Sequence, residues 1–80
     1  MSIEIISELT SKLTDPATPE AERERAYLIL AWVKQTQADY GPHESDQCRM
    51  FINTRLAALV SGQGRVAKSG DGRLEYQNVA

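Results

Sequence analysis

Few residues of this chain have the chemistry for catalysis or ligand capture. His43, Ser45 and Asp46 supply the side-chain types of a nucleophilic triad. They are neighbours at the start of one expected helix, however, and neighbours there do not converge on a single proton as a triad must. His43 is read instead as a solvated residue of a first helical turn. It is the only histidine and Cys48 the only cysteine, which excludes a Cys/His zinc cage and a disulfide within the chain. Cys48 falls on an apolar helix side and reads as a small core residue rather than a reactive thiol. Gly62-Gln63-Gly64 has the glycine content of a phosphate loop. It follows a helix C-terminus, though, where the dipole repels anions. Glu20, Glu22 and Glu24 belong to an acidic helix start and not to a metal site. No catalytic, cofactor-binding or metal-binding residue is assigned. The reading is a non-enzyme with no cofactor and no small-molecule substrate.

The elements that would hold these residues are mostly helical. Ile6, Leu9 and Leu13, with Ile5 beside them, recur at helical spacing and predict a helix over 3–14 with Ser2 as its cap. Asp15-Pro16 stops it, because the residue before proline is pushed out of the helical region. A second helix is expected over 19–39, with Thr18 as cap and Pro19 in the first helical position. Its middle, Ala26-Tyr27-Leu28-Ile29-Leu30-Ala31-Trp32-Val33, is apolar without a break. A helix apolar all round is expected to be buried all round. That segment is read as the central helix of the domain, with Tyr27, Leu28 and Trp32 as the residues that a subunit or partner would cover. Tyr40-Gly41-Pro42 ends it. A third helix over 43–60 carries Cys48, Phe51, Ile52, Arg55, Leu56 and Leu59 on one side. After the Gly62 and Gly64 turn, residues 65–68 and 73–77 read as strands of a β-hairpin, with Ser69-Gly70-Asp71-Gly72 as its turn. The fold class is therefore mainly α: three helices followed by a short C-terminal hairpin, in one small domain over 1–80. Residues 61–80 are read as flexible or as ordering on assembly.

Eighty residues, 41% hydrophobic and 25% charged, make an ordinary globular composition. A core of this size rarely supplies more than about 3–5 kcal/mol, so support from a partner subunit is expected. Net charge is −2. Residues 1–40 hold seven acids against four bases, and residues 41–80 hold four against five. No dense basic run neutralises a phosphate backbone, so nucleic acid is a minor expectation. No apolar run reaches the roughly 20 residues of a membrane span, and no signal peptide is visible. The expected location is the cytoplasm or a particle assembled there.

The stretch Leu56-Ala57-Ala58-Leu59-Val60-Ser61-Gly62-Gln63-Gly64-Arg65-Val66-Ala67-Lys68-Ser69-Gly70-Asp71-Gly72-Arg73-Leu74-Glu75-Tyr76-Gln77 resembles the helix-to-hairpin part of small head–tail joining proteins of tailed phages. In that family a helix ends in a small-residue glycine turn and enters a hairpin with a Gly-Asp-Gly-Arg-like tip. A hydrophobic-Glu-Tyr strand follows. The resemblance implies a structural virion protein, a connector forming rings between portal vertex and tail and acting by shape and contact. Two readings stand beside it. One is a winged-helix DNA-binding regulator, with Arg65, Lys68 and Arg73 of the wing on phosphates. The other is a small phage or mobile-element inhibitor that docks on a host protein through Tyr27, Trp32 or Phe51. For the adaptor reading the contact residues are Tyr27, Leu28, Trp32, Phe51, Arg65, Lys68, Arg73 and Tyr76, and the partner is a second copy or a larger protein. The hairpin edges are expected to extend a neighbour's sheet.

Overall fold

The computed structural model describes residues 3–42 and 45–79. Three helices precede an antiparallel hairpin: α1 (Ile3–Thr14), α2 (Glu20–Tyr40), α3 (Ser45–Ser61), β1 (Gly64–Lys68) and β2 (Leu74–Asn78). The expected mainly-α architecture with a C-terminal hairpin is the one observed. The cap at Ser2 and the solvated His43 fall outside the described residues.

Each helix end has a chemical cause. After α1, the Asp15 carbonyl accepts the Thr18 N–H at 3.1 Å and the Asp15 carboxylate accepts the Ala17 N–H at 2.9 Å, closing a turn around Pro16. The start of α2 differs from expectation. Pro19 itself is the N-cap, with φ −57° and ψ 147°, and no side chain caps the helix. Proline lies naturally in that extended conformation, so Thr18 is displaced one residue outward. The Thr18 carbonyl instead accepts from the Arg23 guanidinium at 3.0 Å. At the far end Gly41 has φ +75°, and its N–H donates to the Gln37 carbonyl at 3.2 Å. α3 closes with Gly62 at φ +86° and the Gln63 N–H on the Ala58 carbonyl at 2.9 Å, the six-to-one bond of a Schellman motif. The Arg25 guanidinium donates to the Leu59 carbonyl in that last turn, a cation at the negative end of the helix.

α2 is the hub, packing against α1, α3 and both strands, whereas α1 docks chiefly on α2. The core joins Leu9 of α1, Ala26, Ile29, Trp32 and Val33 of α2, and Cys48, Ile52, Leu56 and Leu59 of α3. Ile52, Leu56 and Leu59 lose all contact with solvent. The α3 row repeats at helical spacing, as the sequence implied. The all-round burial expected of 26–33 is not observed. Tyr27 is 61% exposed and Leu28, Leu30 and Ala31 are half-buried, because α1 covers one flank and α3 with the hairpin cover another. A radius of gyration of 12.6 Å exceeds the about 11.6 Å of a compact chain of this length, in keeping with α1 lying to one side.

The hairpin register pairs Val66 with Tyr76 and Lys68 with Leu74. Its three-residue loop is closed by the Ser69 N–H on the Arg73 carbonyl at 2.7 Å and the Gly72 N–H on the Ser69 carbonyl at 3.0 Å. Of the loop glycines, Gly72 alone takes positive φ, +87°. Val66, Leu74 and Tyr76 face the helices, and Arg65, Ala67, Glu75 and Gln77 face away.

Candidate functional site

The eight expected contact residues divide among three places. Tyr27 borders an open apolar groove between α1 and α2, also lined by Ile6, Leu13, Leu30, Ala31 and Val33. The groove measures about 520 Å³, with Lys34 and Gln37 at its rim. Sequence reasoning named Tyr27 but not Ile6, Leu13 or Leu30 as contact residues, because periodicity shows which residues share a side and not how wide a neighbour's cover will be.

Trp32, Phe51 and Tyr76 come together with Tyr40 as a ring cluster. Trp32 lies 6.1 Å from Phe51 and 6.2 Å from Tyr76, centroid to centroid, and Tyr40 lies 5.7 Å from Phe51. Trp32 is 3% exposed. Within one chain it is a core side chain, sealed by the other rings, and not the surface anchor expected of it. Phe51 and Tyr76 are half-buried. The Arg55 guanidinium sits 3.6 Å above the Phe51 ring and 5.6 Å from Tyr76, and donates to the Phe51 carbonyl at 3.3 Å. Cation–π contact satisfies a charge that α3 carries on its apolar side, worth about 1 kcal/mol. An arginine on an apolar stripe was the available signal for this contact.

Leu28, Arg65, Lys68 and Arg73 belong to the hairpin region. Half-buried Leu28 and exposed Arg65 line a slot of about 210 Å³ between β1 and the first half of α2. The Arg65 Nε–H donates to Gln77 Oε1 at 3.1 Å. Lys68 is exposed. Arg73 forms an ion pair with Asp39, each side chain about half exposed, which limits its worth to about 1 kcal/mol or less. Beside it, the Asp71 carboxylate accepts the Ser69 hydroxyl and, at 3.1 Å, the Arg73 N–H. Those bonds, the serine's first, hold its carboxyl below the usual range.

One polar contact had no sequence signal. Gln35 Nε2 donates to the Leu74 carbonyl at 2.7 Å, and the Leu74 N–H donates to Gln35 Oε1 at 3.0 Å. The amide thus engages β2 as a neighbouring strand would. Asp39 at Arg73, Gln35 at Leu74 and Trp32 at Tyr76 lay α2 along β2.

The thiol of Cys48 is 6% exposed and lies 3.9 Å from the Thr36 carbonyl, as a small core residue would. Among the described residues no three of His, Cys, Asp and Glu are grouped to hold a metal ion, and no helix is long and apolar enough to cross a membrane. Comparison of the chain with protein-family models, with curated proteins and with solved structures returns no match.

Proposed function

We propose that this chain is a non-enzymatic structural or adaptor protein that works by protein–protein contact, in the form of a connector-type component of a phage particle. The observation that carries the reading is the apolar groove between α1 and α2, with Tyr27 61% exposed at its edge. Apolar area of this kind loses free energy when another surface displaces its water. The occupant in this reading is the next subunit of the assembly. The resemblance of residues 56–77 to head–tail joining proteins supplies the phage part of the reading, and the hairpin's polar outer face suits a rim between repeated subunits.

The test is sedimentation at micromolar concentration, native chain against Tyr27→Glu. Assembly of the native chain, with a smaller particle for the glutamate variant, is the expected result. A native chain that stays at 8.9 kDa and captures no partner would overturn the reading. The same protein titrated with duplex DNA at low salt separates it from the winged-helix alternative, in which wing cations meet phosphates. Two of those cations, Arg65 and Arg73, are already engaged with Gln77 and Asp39.

A further inference from the structure

We propose that the cleft bounded by α2, α3 and β2 binds a small aromatic carboxylate. The Arg55 guanidinium takes the carboxylate, and the rings of Tyr40, Phe51 and Tyr76 take the aryl group. The ligand is bound and not transformed. This goes beyond contact between proteins and uses a different surface from the α1–α2 groove.

The cleft measures about 350 Å³, at the small end of ligand cavities, which run from about 300 to 1,000 Å³. That suits a single ring with a short acid arm. The class of ligand follows from where the polar side chains of the cleft are already committed. The Gln35 amide is taken up by Leu74. The Thr36 hydroxyl donates to the Trp32 carbonyl at 2.9 Å, and the Tyr76 hydroxyl to Asn78 Oδ1 at 2.8 Å. Asp39 and Arg73 neutralise each other. The Glu75 carboxylate accepts from Gln77 Nε2 at 2.8 Å on the outer face of the hairpin. Two groups are left over, the Tyr40 hydroxyl and the Arg55 guanidinium, and both can donate. Arg55 is half-buried, and no carboxylate pairs with it among the described residues. Its Nη1 donates to the Phe51 carbonyl of its own helix at 3.3 Å, and its remaining N–H groups have no acceptor among the described residues.

A half-buried cation with spare donors favours an anion, and its stacking decides which one. The guanidinium lies 3.6 Å from the Phe51 ring centroid, so the ring takes one of its faces. The N–H fork lies in the guanidinium plane. Stacking therefore leaves the fork to a ligand and fixes its direction before the ligand arrives. A carboxylate matches the fork with two parallel hydrogen bonds and brings one negative charge to one unpaired positive charge. A phosphate dianion would bring a second charge into a cleft that Asp39 and Glu75 also line. The walls decide the rest of the ligand. Tyr40, Phe51 and Tyr76 are half-buried rings gathered about Trp32, and an aryl group gains more against such rings than an alkyl group of equal area.

The experiment titrates the full chain with hydrocinnamate, a phenyl ring on a short acid arm. Fluorescence of Trp32, the only tryptophan, and proton–nitrogen correlation spectra follow the binding. A Kd of about 1 mM or below is expected, with shifts at the Arg55 Nε–H and at the Phe51 and Tyr76 amides. On the same native chain, hydrocinnamamide lacks the charge and hexanoate lacks the ring, and each should bind about tenfold more weakly or worse. Arg55→Met keeps the side-chain length against Phe51 and removes the fork, and should cost about tenfold or more in a chain whose circular dichroism is native. Should that variant unfold, the comparison of acid and amide on the native chain decides alone. Hydrocinnamate that fails to saturate overturns the proposal. So does equal binding of the acid and its amide, or of hydrocinnamate and hexanoate. Shifts at Ile6, Leu13 and Leu30 in place of those at Arg55, Phe51 and Tyr76 overturn it as well, since they put the ligand in the α1–α2 groove.

Discussion

Replacing Gln35 by leucine tests how α2 holds the hairpin. Leucine keeps the volume of the side chain and removes both hydrogen bonds. The Leu74 carbonyl and N–H, bonded at 2.7 and 3.0 Å, then face a methyl group in a half-buried position where water enters poorly. A buried polar group left without a partner costs about 1–3 kcal/mol, and partial exposure puts both Leu74 groups at the low end, so the pair should lose about 2–3 kcal/mol. A domain of this length holds about 4–12 kcal/mol in all. At about 2 cal/mol/K of unfolding entropy per residue, the loss lowers Tm by about 12–18 °C. Urea melts followed by circular dichroism at 222 nm measure it, with exposed Gln47→Leu as the control for leucine's own helix preference. Hydrogen exchange at the Leu74 amide should accelerate in the same variant. A Gln35→Leu chain within about 0.5 kcal/mol of native, with Leu74 exchange unchanged, would refute the argument that Gln35 serves as the missing strand.

Two further outcomes follow from the hairpin. A Cβ on Gly64 would lie 2.5 to 2.7 Å from the Tyr76 ring, which is held between Trp32 and Arg55. Gly64→Ala should therefore lose about 1–2 kcal/mol in a thermal melt, the clash exceeding the entropic gain of replacing glycine, and Tyr76→Leu should relieve part of it; an unchanged or raised Tm would count against the stacked ring. The Asp71 carboxyl is depressed in the folded chain by the Ser69 hydroxyl and the Arg73 N–H. Its stabilisation is fully present above the ordinary aspartate range and fades as pH falls through the depressed folded value. Urea midpoints of native protein and Asp71→Asn should converge on acidification, and a difference constant with pH would refute that linkage.

The order and ends of the elements were legible because their causes are local. Apolar spacing in α1 and α3, Pro16 after α1, Gly41 after α2 and the Gly72 turn act within a few residues of where they stand. Pro19 shows the limit of such rules, since its φ of −57° suits the first helical position as well as the N-cap and only its ψ of 147° leaves it outside the helix. The facing of α2 was not legible. Residues 26–33 are apolar in every direction, so no contrast along the helix says that Trp32 turns inward and Tyr27 outward. That choice belongs to the elements that arrive later in the chain. The Gln35 clamp on Leu74 and the arginine contacts of Arg25 and Arg73 join residues more than thirty positions apart, and each is a long-range consequence of packing. Tyr27, named from the sequence, is exposed at the edge of an apolar groove, and the other residues of that groove emerged once α1 was laid against α2.

The one-sided docking of α1 sets the order in which this molecule comes apart. A helix that leans chiefly on one neighbour, joined to it by a short turn at Asp15–Thr18, forms the segment that detaches at least cost, while α2, α3 and the hairpin remain tied through Leu59, Leu74 and Asp39. Its release strips Leu9 from the core it shares with Ala26, Ile29 and Val33 and bares more of the oily strip along α2. A peptide mimicking α1, or α1 of another molecule exchanged in its place, would find a seat already shaped for it.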